Sequence, residues 1–157
     1  SGTAIALAKE KLDLESVGWS RGTLVEERLI ECSAAEMPFI DSSFDAVVDI
    51  ECIAHMGWNE ARRAIKECYR VARPGAWLFC RMLDGSNALD CEPVGNQGLV
   101  RIIRGLLDGM PPCRLLSSED IPLLLDPWSI TSVDNESRTL SDGALTLSEH
   151  VIVARKP

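Results

Sequence analysis

The side chains best suited to chemistry lie close together between Asp49 and His55. Asp49 and Glu51 are carboxylates at the end of an apolar run, and His55 follows Glu51 after three intervening residues. Near neutral pH an imidazole can accept a proton from a hydroxyl or amine, and a carboxylate can position a nucleophile. Two plainer interpretations stay open: a solvated strand end for the carboxylates, and a helix-start histidine bonded to the backbone. The other histidine, His150, lies in a terminal apolar run and is interpreted as structural.

Strands and helices alternate around these residues. The apolar run Phe44 to Ile50 predicts a strand buried on both faces. Asn59 to Ala72 carries apolar residues at helical spacing, and Arg73-Pro74-Gly75 ends that helix because proline cannot continue it. Ala76 to Met82 predicts the next strand. The order of strand, helix, turn and strand is typical of a parallel α/β sheet.

The N-terminal part predicts one helix and two short strands. Thr3 to Leu12 is rich in good helix formers and offers one apolar face. Leu14 to Trp19 and Arg28 to Cys32 are predicted strands, the second from a weak alternation of polar and apolar residues.

Downstream of the central strands, Asp84 to Gly98 is rich in Gly, Asn and Pro and predicts a loop. Leu99 to Leu107 predicts a helix with Arg101 and Arg104 on its polar side, where they would be solvated or clamp an anionic substrate. A further short helix is predicted to start at Ser117 or Ser118 and to run through Leu125. Ser141-Asp142-Gly143 predicts a hairpin turn between strands at 128–140 and 147–155.

Bulk composition narrows the class of protein. The chain has 157 residues, enough for one domain with a substantial core, and a formal net charge of −8. This charge disfavours a nucleic-acid backbone or an anionic membrane as partner. The six cysteines are widely spaced with no C-x-x-C pair, which favours free thiols in a reducing, cytoplasmic compartment over disulfides or a zinc site.

Ala34 to Val48 resembles the loop and fourth strand of class I S-adenosylmethionine-dependent methyltransferases, with the small-molecule type 11 group as the nearest type. Ile53 to Met56 is similar to their Leu-His-His-Leu-like segment, and Ala64 to Leu78 to their helix, turn and fifth strand. Ser117 to Leu125 resembles a Ser/Thr-x-Glu-Glu-Leu helix, and His150 to Pro157 resembles their last strand.

The resemblance implies an α/β fold, a Rossmann-like three-layer sandwich whose mostly parallel sheet has an antiparallel C-terminal strand. It implies one methyltransferase-like domain over residues 1–157, with residues 84–116 as a substrate-side insert. S-adenosylmethionine would lie over the carboxyl ends of the strands. The implied function is methyl transfer to a small molecule; the alternative is a non-catalytic, degenerate relative that acts by binding or oligomerisation.

The resemblance also implies roles for individual residues. Glu51 and His55 would be catalytic, and Asp49 with Glu51 could bind the ammonium group of the cofactor. No metal site is expected, because methyl transfer is an in-line displacement that depends on alignment. The implied cofactor-binding residues are Gly2, Gly18, Trp19, Ser20, Ser33, Ala34, Ala35, Glu36, Asp49 and Ile50.

The sequence departs from the family at its N-terminal end. The family's Gly-rich turn after the first strand is absent, and Ser1-Gly2-Thr3 resembles its tail, so the fold is expected to be N-terminally truncated. The gap left by the missing central strand would be resolved in one of three ways: upstream residues supply the strand, the remaining strands close up, or a second chain in a homodimer fills the gap. Ser20 and Ser33 stand where the family has acidic residues for the ribose and adenine, which predicts weak or absent cofactor binding.

Overall fold

The structure, a computed structural model, describes residues 2–14, 29–87, 90–104, 107–140 and 145–157. The chain divides into two compact units, Ser1–Ser33 and Ala34–Pro157. The single domain expected over the whole chain stays a prediction. None of the helices in the described ranges is long and apolar enough to cross a membrane.

The first unit contains helix α1, Gly2–Leu14, which confirms the helix predicted near the N-terminus. The strand predicted for Arg28 to Cys32 is wrong over the described residues 29–32, which have no regular secondary structure. Ile30, Glu31 and Cys32 are exposed, so the weak alternation has no apolar face buried against a neighbour. Leu14 ends α1, and the rest of the strand predicted for Leu14 to Trp19 lies outside the described residues.

The second unit contains six strands and two helices in its described part. They are β1 Phe44–Ile50, α2 Trp58–Val71, β2 Ala72–Leu83, β3 Cys91–Val94, β4 Leu99–Ile102, α3 Asp120–Leu125, β5 Ser129–Leu140 and β6 Leu145–Arg155. Short 3-10 turns lie at Ile53–His55 and Gly85–Asn87. One sheet has the order β1-β2-β6-β5, in which β1 and β2 are parallel and β6 is antiparallel to both of its neighbours. β3 and β4 form a separate antiparallel hairpin.

The core lies between α2 and one face of this sheet. The buried face of α2 consists of Ala61, Ala64, Ile65, Cys68 and Val71. Apart from Val71, these residues belong to one cluster with sheet residues Leu78, Cys80, Met82, Ile152 and Ala154 and with α3. Because apolar burial is worth roughly 25 cal/mol per Å², this packing fixes β1 and β2 under α2. The end of β1 is thereby held in place.

The loop before β1 is held to α2 by Arg70. Its guanidinium donates to the carbonyls of Met37 (3.0 Å) and Phe39 (2.7 Å) and to Asp41 Oδ1 (2.7 Å). Glu67 accepts from the Met37 N–H at 3.0 Å and from Arg70. These contacts fix the loop before β1 to α2.

Two further expectations are corrected by the packing. The helix predicted for Leu99 to Leu107 is wrong, because Leu99–Ile102 is strand β4, paired with Cys91–Val94. Gly95 and Gly98 have positive φ, which lets the chain reverse into this hairpin. β1 is not buried on both faces: Val48 and Ile50 are 63 % and 62 % exposed, because β1 is an edge of the described sheet and α2 covers only one face.

Candidate functional site

Asp49 is a buried carboxylate at the carboxyl end of β1, 6 % exposed. Its Oδ1 accepts the Ile53 N–H at 3.1 Å and so holds the 3-10 turn after the strand. Its Oδ2 is buried and has no hydrogen-bond partner among the described residues. Burial raises the pKa of Asp49, and hydrogen bonds from the backbone of Ile53 and Cys52 partly oppose the rise.

Glu51 follows β1 in a left-handed backbone conformation, with φ 61°. Its N–H donates to the Arg81 carbonyl at 3.1 Å, which continues the pairing of β1 with β2. Its Oε1 is buried without a hydrogen-bond partner in the described part of the chain. Burial, and then the negative charges of Glu149 and Asp49, raise its pKa to about 7 against the opposing effect of Arg81. Glu51 is thus a carboxyl group that can hold or release a proton near neutral pH.

His55 lies at the end of the 3-10 turn and has a fixed ring orientation. Its Nδ1 is 3.0 Å from the carbonyl oxygen of Pro112. Because a carbonyl can only accept, Nδ1 carries the proton in the neutral ring, and the lone pair is on Nε2. The expected backbone-bonded histidine and the expected proton acceptor are therefore compatible in one residue.

Glu51 and His55 line one cavity of about 120 Å³, called the Glu51 cavity below. Its lining is three polar residues and five apolar ones: Glu51, His55, Glu149, Leu83, Leu107, Met110, Cys113 and Leu147. Cys113 is buried, and its surroundings raise the pKa of its thiol, first by burial and then by Glu51 and Cys91. The cavity is an apolar recess with ionisable groups on its wall.

Glu149 is the third polar residue of the cavity and is already paired. Its carboxylate accepts from Arg81 at 2.8 Å and from Arg138 at 2.6 Å. Burial by itself raises the pKa of Glu149, but the hydrogen bonds from these arginines lower it below its ordinary value. Arg81 also contacts Glu136 at 2.8 Å. Glu149 therefore stays ionised and engaged, in contrast to Glu51.

A second, more open cleft of about 530 Å³ lies beside α2. Its buried cation, Arg114, donates to the carbonyls of Met56 (3.1 Å) and Gln97 (2.9 Å) and lies over the Trp58 ring at 4.9 Å. Arg114 thus ties the 84–116 segment to the turn that carries His55. We interpret this contact as one that positions the wall of the Glu51 cavity.

The structure brings together some of the predicted residues. Glu51 and His55 share one cavity, and Asp49 lies two residues before Glu51 in the chain. Ile50 is largely exposed, and Glu36 is exposed. The roles of Ile50 and Glu36 as cofactor contacts stay predictions.

The remaining predicted cofactor residues lie outside the lining of the Glu51 cavity or outside the described residues. Ala34 and Ala35 pack against the core cluster. Gly2 starts α1, and an added Cβ there would be 3.1 Å from a carboxylate oxygen of Glu31. Ser33 is exposed in the first unit. The other three, Gly18, Trp19 and Ser20, lie outside the described residues.

Sequence reasoning missed Glu149 as a wall of the cavity. The predicted hairpin could have indicated one of its contacts, because the β5–β6 register sets Glu149 opposite Glu136 and near Arg138. Its other partner, Arg81, is on β2, and no local pattern predicts that contact. The structural interpretation of His150 agrees with its burial and its 3.0 Å contact with the Leu116 carbonyl. In the described ranges, no group of three or more His, Cys, Asp or Glu residues is arranged to hold a metal ion.

Comparison with known proteins gives a consistent result. Residues 1–80, just over half of the chain, match a family described as a methyltransferase domain. A mouse protein named probable tRNA methyltransferase 9B is 45 % identical over 49 residues, which are 31 % of this chain and 11 % of that protein. The chain therefore covers only about a tenth of this curated relative.

Solved structures share the fold. A SAM-dependent methyltransferase from Methanosarcina mazei superposes with a TM-score of 0.64 at 23 % identity, over 78 % of this chain and 64 % of that one. Burkholderia thailandensis 1,6-didemethyltoxoflavin-N1-methyltransferase, solved with S-adenosylhomocysteine, gives a TM-score of 0.58 at 15 % identity, over 84 % and 54 %. These likenesses confirm the expected Rossmann-like α/β fold. With a family match over more than half of its length, the chain belongs to this family of methyltransferase domains, and it shares its fold with the solved S-adenosylmethionine-dependent methyltransferases.

Proposed function

We propose that this chain transfers a methyl group from S-adenosylmethionine to a small molecule, with the acceptor bound in the Glu51 cavity. The observation that carries the proposal is a pair of buried carboxylate oxygens without partners, Asp49 Oδ2 and Glu51 Oε1, at the carboxyl end of β1. Ligands in open α/β sheets bind at the carboxyl ends of the strands. Buried polar atoms in proteins are nearly always paired, so these two oxygens call for ligand groups.

The residues present suit the cofactor. S-adenosylmethionine carries an α-ammonium group, and a buried carboxylate oxygen such as Asp49 Oδ2 is a matching acceptor for it. Without a partner, that oxygen bears a desolvation cost of about 1–3 kcal/mol. Asp49 would therefore hold the ammonium, while its Oδ1 keeps the 3-10 turn in place. When bound, the cofactor supplies a methyl group on a sulfonium sulfur that is open to nucleophilic attack.

Glu51 and His55 would serve the acceptor. Neutral His55 has its lone pair on Nε2, since Nδ1 donates to Pro112, and Glu51 exchanges its proton near neutral pH. Either group can take a proton from the acceptor, a step needed only where the nucleophile is protonated. The apolar wall aligns the acceptor and excludes water. Most of the acceleration of a displacement reaction comes from these two effects.

The proposal also includes the other residues predicted to contact the cofactor. Residues Gly2, Gly18, Trp19, Ser20, Ser33, Ala34, Ala35, Glu36 and Ile50 would line the cofactor. The mouse relative's name suggests tRNA as an acceptor, but a net charge of −8 favours a small molecule. We also propose a cytoplasmic location, which suits free cysteines such as Cys68 and Cys80, and a homodimer as one means of completing the sheet.

Calorimetric titration with S-adenosylhomocysteine tests the cofactor site. Asp49→Asn keeps an oxygen for the Ile53 N–H and replaces the free acceptor by an NH₂ group. We expect this variant to bind the ligand at least about tenfold more weakly than the natural chain. Asp45→Asn is the matched control, because Asp45 lies on the same strand, is exposed and pairs with Arg73. It should bind as the natural chain does.

The outcomes separate the two functional classes. Micromolar binding that Asp49→Asn weakens and Asp45→Asn does not would support the proposed methyltransferase. Absence of binding at millimolar ligand by the folded chain would refute it and favour the non-catalytic relative. Equal binding by all three proteins would leave Asp49 without the role proposed for it.

A further inference from the structure

We infer that the Glu51 cavity takes a compact apolar amine as the methyl acceptor. This inference rests on the proposed function and specifies its substrate class. It depends on three features of the cavity: its size, its apolar wall, and the hydrogen-bond acceptors left for a ligand.

Size and wall define the body of the ligand. At about 120 Å³ the cavity is somewhat smaller than the 150 Å³ engineered cavity that binds benzene. The wall is formed largely by Leu83, Leu107, Met110, Cys113 and Leu147. A short alkyl chain or a single small ring therefore fits, and a larger ligand would have only one end inside.

The polar wall defines the reacting group. Glu149 is occupied by Arg81 and Arg138, and His55 Nδ1 is occupied by the Pro112 carbonyl. Two acceptors are left: Glu51 Oε1, which is buried without a partner in the described chain, and His55 Nε2, which carries the lone pair of the neutral ring. The ligand group that meets either of them must donate a hydrogen bond.

Charge favours an amine over an alcohol or an acid. Glu51 and Glu149 are both wall residues, and the described lining includes no Lys or Arg. A carboxylate ligand would meet like charges, whereas an ammonium group would compensate the carboxylate of Glu51. An alcohol can donate to Glu51 but brings no compensating charge.

The chemical step is then balanced. The bound ammonium gives one proton to the Glu51 carboxylate, which leaves a neutral amine with a free electron pair. That pair forms the new N–CH₃ bond as the S–CH₃ bond breaks and its electrons stay on sulfur. The acceptor leaves as an N-methylammonium ion, the sulfonium becomes a thioether, and Glu51 holds the proton.

Binding of matched ligands tests this inference. The chain is titrated with benzylamine, benzyl alcohol and benzoate, and with n-butylamine and n-butanol, by ligand-observed NMR, with and without S-adenosylhomocysteine. We expect each amine to bind at least about tenfold more tightly than its alcohol, and benzoate not to bind. Glu51→Gln should abolish the preference, while Glu60→Gln, at an exposed position of α2, should retain it.

A second variant tests the cavity independently of Glu51. Met110 lines the cavity and is 48 % exposed, so Met110→Trp should fold and fill the space. It should lose amine binding and keep S-adenosylhomocysteine binding. Alcohols that bind as tightly as amines, or amine binding unaffected by Met110→Trp, would overturn the inference.

The two proposals fail separately. S-adenosylhomocysteine binding without amine binding would overturn the amine assignment and leave methyl transfer standing. Amine binding that depends on Glu51, in a chain that does not bind S-adenosylhomocysteine, would support the assignment of the cavity and refute the methyltransferase.

Discussion

Glu51→Gln should make the chain more stable at neutral pH and change how its stability depends on pH. Glutamine keeps the shape of Glu51 but cannot ionise. In the natural chain the pKa of Glu51 is raised from 4.5 to about 7, chiefly by burial. Its ionised form is therefore disfavoured in the folded state relative to the unfolded chain.

The sign and size follow from proton linkage. Below about pH 4.5 the carboxyl is protonated in both states and costs nothing. As the pH rises to about 7 the unfolded chain ionises first, so the folded state loses stability. The difference of about 2.5 pH units between 4.5 and 7 corresponds to about 3 kcal/mol, since each unit is worth about 1.4 kcal/mol. Over pH 5 to 8, about 2–3 kcal/mol of this should be observed.

Urea unfolding of both proteins across that pH range measures the effect. The free energy of unfolding of Glu51→Gln minus that of the natural chain should grow with pH by this amount. The burial that raises the pKa of Asp49 is present in both proteins and largely cancels in the difference. Glu60→Gln controls for the change in net charge. A difference that stays constant from pH 5 to 8 would refute the claim that the Glu51 carboxyl is desolvated in the folded chain.

Two further changes test the frame of the site. Glu149→Gln should cost about 1.5–3 kcal/mol in urea unfolding at neutral pH, because Arg81 and Arg138 lose a charged hydrogen-bond acceptor while Arg81 keeps Glu136. The loss should shrink below about pH 4.5, and a loss under 1 kcal/mol would contradict the pairing. Gly98→Ala should lower the melting temperature more than Gly95→Ala. Both glycines have positive φ, but only a Cβ at position 98 would lie 2.6 Å from the Arg114 side chain. Equal losses would show that backbone conformation alone sets the cost of both substitutions.

Much of the fold is predictable from local pattern. α2 and the hairpin of β5 and β6 follow from helical spacing and a turn signal, and the structure has both. The error at Leu99–Ile102 has a different origin. A short apolar run with interleaved arginines suits a helix or a strand, and pairing with Cys91–Val94 decided between them.

The candidate site is predictable in part. Glu51 and His55 were expected from their position after an apolar run, and the structure sets both on one cavity. Glu149 was not expected, because it arrives from a strand almost a hundred residues later in the chain. The pairing of β2 with β6 brings it there, opposite Leu83.

By itself the sequence determined where α2 and the main strands lie, and the family resemblance, because these depend on neighbours along the chain. Tertiary structure decided which carboxylate is free. Asp49, Glu51 and Glu149 are alike as residue types, but only Glu149 meets the arginines of β2 and β5. Burial and charge pairing depend on contacts between distant segments, and these set the pKa and hydrogen-bonding state of each group.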